Sequence, residues 1–389
     1  MARNAAAMRL EGAAGARVNA RKDAAMAWSP QQDEALAAVA AWLRRKDTQV
    51  FRLFGYAGTG KTTLARHLAE GVDGGVIFGA FTGKAASVLR AKGCPGAATL
   101  HSLIYRTRET EGESPTFVLN RDSPAAKAAL IVIDECSMVD EDLGKDLLSF
   151  DTPVLVLGDP AQLPPVKGGG FFTEAEPDVM LTEVHRQARD NPIIRMSMAV
   201  REGEGLSRGT YGESRIIGKR DIDAEAVMRA DQVLVGLNRT RRAYNNRIRN
   251  LKGFRDAMPA AGEKLVCLRN NKQKGLLNGG TWLIKEFATS RSKKAVVTMR
   301  VQSEEDARNV VKVSVPQEFF DGREEELTPQ MRREFDEFTY GYALTVHKAQ
   351  GSQWDDIVLF DESFAFREHR SRWLYTGITR AAHCLTLVM

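Results

Sequence analysis

The chain has 389 residues, 43% hydrophobic and 27% charged, with a formal net charge of +5 and a pI near 9.0. This is ordinary globular composition, long enough for two or three domains, and no apolar run approaches the ~18 residues needed to span a bilayer. The four cysteines, Cys94, Cys136, Cys267 and Cys384, lack the paired spacing of a zinc site or disulfide framework and suit a reducing compartment, while the basic balance favours a polyanionic partner.

Residues 1–27 are rich in Ala and Arg and carry only two acids. They read as a basic, disordered extension; a transit peptide is the lesser alternative, and the apolar core of a secretory signal is missing. Val50 to Phe54 reads as a buried strand, and Thr63 to Glu70 as the first turns of a helix. Between them lies Gly55-Tyr56-Ala57-Gly58-Thr59-Gly60-Lys61-Thr62, a complete G-x-x-x-x-G-K-[ST] loop in the strand–helix setting that the motif requires. Glycines let backbone N–H groups curl around a phosphate at the helix N-terminus. Lys61 can reach the β- and γ-phosphates and the Thr62 hydroxyl can hold Mg²⁺, so a nucleoside triphosphate site is expected here.

Ile104 to Lys127 is polar, with turn formers around Thr116-Phe117-Val118-Leu119. Ala129 to Ile133 is a short β-branched run ending in Asp134-Glu135. An Asp at that position takes a place on Mg²⁺ and an adjacent Glu can polarise the attacking water, which favours hydrolysis. Val154 to Leu157 is another apolar strand, followed by Gln162. The Asn-Lys-x-Asp motif of a guanine reader is not met by Asn271-Lys272-Gln273-Lys274. From Arg239 to Arg255 runs a basic stretch with Tyr244 and Phe254 interleaved, the mixture a sequence-tolerant single-strand groove uses; a solvated basic helix face is the alternative. Lys264 to Leu268, Thr281 to Phe287, Ala295 to Val301 and Val310 to Val315 read as short strands of a small all-β module. Gln232 to Gly236, Ile357 to Phe360 and Cys384 to Val388 are apolar strands of a second α/β unit.

Taken together, the motifs from Trp28 to Met389 resemble the superfamily-one DNA helicases of the 5′→3′ branch, RecD-like and phage Dda-type. Trp28 to Ala35 resembles their Q-motif, with Gln32 matching the adenine-reading Gln and Gln31 the alternative. Thr82-Gly83-Lys84-Ala85-Ala86 and Thr99-Leu100-His101-Ser102 resemble motifs Ia and Ib, which implies strand contacts for Thr82, Lys84, Thr99 and His101. Asp134 to Met138 is similar to motif II, Gly158 to Val166 to motif III, and Leu181 to Gln187 to motif IV, with Arg186 at the γ-phosphate position. Tyr342 to Gly351 is similar to motif V, implying strand contacts for Thr345 and His347, and Tyr375 to Ala381 to motif VI, with Arg380 as a second arginine finger. Many relatives end motif V with a ribose-binding Glu; here Gln353 stands in its place.

The resemblance implies two RecA-like P-loop domains, 28–180 and 181–389, the first with a β-hairpin insertion at 104–127 and the second with an SH3-like all-β insertion at about 256–335. The hairpin slot holds a duplex-splitting pin in the family, a plain surface hairpin being the alternative here; Phe117 is the apolar tip expected in this chain, and Asn238 is carried over as a further strand contact. Nucleotide contacts are expected from Gln32, Gly55, Ala57, Gly58, Thr59, Gly60, Lys61, Thr62, Thr63 and Gln353, catalysis from Lys61, Asp134, Glu135, Gln162, Arg186 and Arg380, and Mg²⁺ binding from Thr62 and Asp134. ATP and Mg²⁺, single-stranded and forked DNA, a monomer, contacts with replication or recombination proteins and a cytoplasmic setting without membrane attachment follow as expectations. Action on RNA, or translocation on DNA without unwinding, are the alternatives.

Overall fold

The computed structural model describes residues 28–108, 116–164, 170–184, 190–271, 274–287, 295–304 and 307–389. Expectations for residues 1–27, and for Arg186, fall outside that set, as does the side chain of Phe117. None of the described helices is long and apolar enough to cross a membrane.

A six-stranded sheet is built from β1 (Val50–Gly55), β2 (Val76–Ala80) and β3 (Ala98–Thr99), then, beyond a hairpin of β4 (Tyr105–Arg108) and β5 (Thr116–Leu119), from β6 (Leu130–Asp134), β7 (Val154–Gly158) and β8 (Val179–Leu181). Its order is β3-β2-β6-β7-β1-β8, and every pairing is parallel. Parallel strands are covered by helices on both faces, so central strands read as unbroken apolar runs. Leu130-Ile131-Val132-Ile133 and Val154-Leu155-Val156-Leu157 are such runs, all buried. The order sets the ends of β6, β7 and β1 side by side, and each of those ends carries a candidate motif.

The second sheet is built from β9 (Gly209–Tyr211), β10 (Ser214–Ile217), β11 (Gln232–Val235), β17 (Ala343–Thr345), β18 (Trp354–Phe360) and β19 (Ala381–Val388). Its order is β17-β11-β18-β19-β10-β9, and only the β9 pairing is antiparallel. The helix Arg370–Ile378 lies on it with Trp373 and Tyr375 fully buried. Each such aromatic contributes on the order of 2–3 kcal/mol by leaving water.

Between β11 and β17 the chain forms the helix Asn238–Leu251 and then β12 (Lys264–Cys267), β13 (Thr281–Phe287), β14 (Val296–Ser303), β15 (Val310–Pro316) and β16 (Phe338–Tyr340). These five make an antiparallel sheet in the order β15-β14-β13-β12-β16. Its Trp282, Met299, Val313 and Phe338 share one core with Val233, Val235 and Ile248 of the second unit. The entry is clamped by Arg249, whose Nε and Nη2 donate to the buried Glu263 carboxylate at 2.6 and 3.0 Å. The exit is held by Asn245, which accepts from Ala343 N at 2.9 Å and donates to its O at 3.1 Å.

That clamp takes part of the basic stretch from Arg239 to Arg255 away from the surface. Arg241 and Arg249 are buried, and Tyr244 turns inward to meet the Phe360 ring at 4.3 Å. One turn is 3.6 residues, so a run of charges along a helix necessarily points several of them at the core. Asn238, Arg239, Arg242, Arg247 and Lys252 remain exposed.

Candidate active site and strand-facing edge

The phosphate loop is shaped by two positions that a side chain would strain. Gly58 and Gly60 have φ of 80° and 82°, the left-handed region that glycine occupies without cost. Gly55 is needed for a different reason: a Cβ there would stand 2.7 Å from Thr59 Oγ1 and 2.8 Å from Leu181 Cβ. Thr59 is buried behind the loop, its hydroxyl donating to Tyr56 O at 2.8 Å. Lys61 Nζ donates to the carbonyls of Gly55 and Tyr56 at 2.6 and 3.0 Å, which curls its ammonium over the loop. Thr62 Oγ1 donates to Asp134 Oδ2 at 2.9 Å, so the two side chains expected on Mg²⁺ already touch.

A cavity of about 490 Å³ opens over this loop. Ala57, Gly58, Gly60, Lys61, Thr62 and Thr63 form its floor, Asp134, Glu135, Asp159 and Gln162 one wall, and Gln353 and Arg380 the wall from the second sheet. The expected residues of motifs II, III, V and VI therefore converge across more than 300 positions of sequence, from Ala57 to Arg380. Glu135 takes a left-handed conformation at φ 53° as the chain turns off β6. Burial pushes its carboxyl above the ordinary range, opposed by the nearby Arg380 guanidinium and reinforced by Asp134. Arg380 Nη1 stands 4.0 Å from Glu135 Oε1; the guanidinium is held by donation from Nε to Thr376 O at 3.1 Å and from Nη1 to Ser352 O at 3.2 Å. Gln162 Oε1 is buried without a hydrogen-bond partner in the protein, an orphaned acceptor beside the phosphate loop that fits a ligand-borne or water donor.

Gln32 is hydrogen-bonded within the protein. Its Nε2 donates to Thr59 O at 3.0 Å, and its Oε1 accepts from Ser29 N at 3.0 Å in a capping box. It braces the loop from behind and does not line the cavity. The Gln31 carbonyl oxygen accepts from the Thr182 and Glu183 N–H groups at 2.8 and 2.9 Å. Gln31 Nε2 donates to Thr182 Oγ1 at 3.1 Å, so both amides are bonded within the protein.

Sequence reasoning missed the residues that join the two sheets here. Tyr375 OH donates to Asp159 Oδ2 at 2.7 Å and accepts from Ala57 N at 2.8 Å. Thr376 Oγ1 accepts from Leu163 N at 2.9 Å, and Gln350 Nε2 donates to Leu163 O at 2.9 Å. Arg201 lies 3.8 Å above the Tyr56 ring. Tyr375, Thr376 and Gln350 lie inside motifs already noted, but nothing in the sequence around them marks them as the residues that span the cleft.

The remaining expected strand contacts lie at the C-terminal ends of parallel strands, the edge where open α/β sheets place ligands. Thr82 and Lys84 follow β2, Thr99 ends β3 with His101 just beyond, Thr345 ends β17 with His347 next, and Asn238 follows β11. The threonine hydroxyls cap local turns: Thr82 accepts from Ala85 N at 3.1 Å, Thr99 from Ser102 N at 3.2 Å and Thr345 from Lys348 N at 3.4 Å. They shape the edge. His101 and Asn238 are exposed on it, and His347 is half-buried.

Two family models match: an AAA domain over residues 27–217 and a UvrD-like helicase C-terminal domain over 340–388. The chain is 29% identical over 361 residues, 85% of its length, to the ATP-dependent RecD2 DNA helicase of Deinococcus radiodurans. It is 34% identical over 165 residues, 39% of its length, to the ATP-dependent DNA helicase dda of Enterobacteria phage T4. Over most of its length the chain is thus similar to a named ATP-dependent DNA helicase. The chain spans 45% of the first relative and 37% of the second. The fold agrees: a structure described as two coordinating Pif1 helicases unwinding forked double-stranded DNA superposes with a TM-score of 0.58 at 18% identity, covering 93% of this chain and 92% of that one.

Proposed function

We propose that this protein is an ATP-dependent DNA helicase that moves along single-stranded DNA and separates duplexes. The observation carrying this reading is the cavity in which Lys61, Thr62, Asp134, Glu135 and Gln162 of one sheet face Gln353 and Arg380 of the other. A site whose two walls belong to different sheets is completed by closure and broken by opening, so hydrolysis there drives relative motion.

In this reading the loop N–H groups and Lys61 hold the β- and γ-phosphates, which requires the Lys61 ammonium to exchange its carbonyl partners for phosphate oxygens. Thr62 and Asp134 hold Mg²⁺, which neutralises phosphate charge when bound. Glu135 orients and deprotonates the attacking water, with Arg380, 4.0 Å away, opposing the burial that raises its carboxyl. Gln162 reports on the γ-phosphate, and Arg380, with Arg186, stabilises charge in the transition state; such fingers contribute on the order of 10³–10⁵ in rate. Residues 28–180 and 181–389 act as the two RecA-like motor domains. The hairpin β4–β5 serves as the pin with Phe117 near its turn, and the five-stranded sheet as the SH3-like insertion. The strand runs over the edge bearing Thr82, Lys84, Thr99, His101, Asn238, Thr345 and His347, in the 5′→3′ sense of the family. Unwinding of 5′-tailed, 3′-tailed and RNA duplexes, with ATP turnover measured alongside, tests this; failure to unwind any DNA duplex while hydrolysing ATP would leave only a translocase.

A further inference from the structure

The order β17-β11-β18 sets three C-terminal loops side by side: Val346–Lys348 after β17, Gly236–Arg239 after β11, and the segment after β18. That last segment, the 3₁₀ stretch Ser363–His369, belongs to none of the sites described above. Phe364 within it is 62% exposed, the most exposed large apolar side chain among the described residues. A single exposed ring needs no explanation by itself, but this one stands on a rigid and strained base. The Glu362 carboxylate accepts from Gly236 N, Leu237 N and Thr240 Oγ1 at 2.7, 3.0 and 2.7 Å. Ser363 is wholly buried and accepts from Arg370 Nε at 3.2 Å. Phe366 turns inward, stacked at 11° and 5.5 Å on Trp373 and 5.3 Å from the His347 ring. Arg367 then adopts φ 42° and ψ −110°, a conformation that a non-glycine residue holds only when its surroundings enforce it.

The strained Arg367 thus follows two rings of one short segment, Phe364 outside and Phe366 half-buried against Trp373. The exposed charges on this segment, on the helix start that follows it and on the Gly236–Arg239 loop bonded to Glu362 are mainly positive: Arg367, Arg370, Arg372 and Arg239, with Glu368 an exposed acid. Apolar ring faces beside guanidinium groups match one ligand chemistry, a nucleobase joined to phosphates.

We propose that Phe364 is a stacking platform for one base of a bound single DNA strand, with the neighbouring arginines meeting the flanking phosphates. This rests on the strand-binding reading above and adds a base-contacting residue to it. The preformed clamp through Glu362 and Ser363 means that the ring is presented without ordering a loop, so little of the stacking gain is lost on binding.

The test is equilibrium binding of a fluorescent oligothymidylate of about 12 nucleotides, within the range one such groove covers. Phe364→Ala should weaken binding about tenfold at fixed salt and leave the dependence on salt unchanged, because no phosphate contact is lost. Phe364→Trp should restore affinity. Walking one abasic position through the oligonucleotide should find a register that costs the parental protein affinity and costs Phe364→Ala nothing further. Parental affinity in Phe364→Ala, with no abasic register distinguishing the two, overturns the stacking proposal alone. Absence of any salt-sensitive oligonucleotide binding by the parental protein overturns the strand-binding reading, and the stacking proposal with it.

Discussion

The Tyr375 phenol donates to Asp159 Oδ2 at 2.7 Å while accepting the Ala57 N–H at 2.8 Å. One buried side chain of the helix on the second sheet therefore holds both the phosphate loop and the loop after β7. A hydrogen bond to a charged partner contributes about 1.5–3 kcal/mol, and stranding that partner costs the same order.

Tyr375→Phe keeps the ring and removes both bonds. It should lower stability by about 2 kcal/mol in urea unfolding and reduce ATP turnover through loss of loop alignment. Asp159→Asn on the Tyr375→Phe background should add much less than it does alone, since the two share one interaction. Full additivity would show that the bond carries no coupling.

Lys61→Ala and Glu135→Gln should separate nucleotide binding from hydrolysis. Lys61→Ala removes the charge aimed at the phosphates and should lose both nucleotide affinity and turnover. Glu135→Gln preserves shape and the Thr62–Asp134 pair, so it should bind nucleotide while turnover falls at least ~10²-fold, the scale of a general base. Fluorescent-nucleotide binding beside phosphate release distinguishes them; parental turnover in Glu135→Gln removes that residue from the base role.

The hairpin is anchored at its base, where Asn120 N donates to Ile104 O at 2.7 Å and Arg121 Nη1 to Ser149 O at 2.7 Å. Replacing residues 107–117 with a short Gly-Ser turn should therefore spare the first sheet and DNA-stimulated ATPase while abolishing strand separation. Each base pair opened costs on average about 1.4 kcal/mol of stacking, work that translocation performs only against a wedge. Forked-duplex unwinding at the parental rate would assign the wedge elsewhere.

Lys348, next to His347, presents surface to solvent, yet surrounding protein and then the Arg241 guanidinium hold its ammonium down to about 8. A bound phosphate favours the charged form, so binding takes up a proton. Affinity for an oligonucleotide should be highest below pH 8 and fall as pH rises through it. Lys348→Arg stays charged throughout and should flatten the profile between pH 7 and 9, measured at constant ionic strength. An unchanged slope in Lys348→Arg would exclude this lysine as a phosphate contact.

Elements whose identity depends on local order were legible in the chain. The phosphate loop needs glycine at Gly58 and Gly60 for its dihedral angles, and the buried parallel strands need unbroken apolar runs, so motif and strand coincide in the one-dimensional record. The same holds for Asp134 and Glu135 at the end of β6, and for the β-rich stretch that became the antiparallel sheet, since period and turn residues are short-range signals.

What only the tertiary structure decided is which polar atoms are already satisfied. Gln32 matched a nucleotide-reading position, and only its distance to Thr59 O shows its amide bonded to the loop. Seven basic residues between Arg239 and Arg255 looked alike as charges; the Glu263 carboxylate, placed by the start of the inserted sheet, took Arg249 into the core. Tyr375 and Ala57 are 318 positions apart, and nothing along the chain pairs them. A hydrogen bond is a property of two atoms brought within about 3 Å, and for residues on different sheets that distance is set by packing alone.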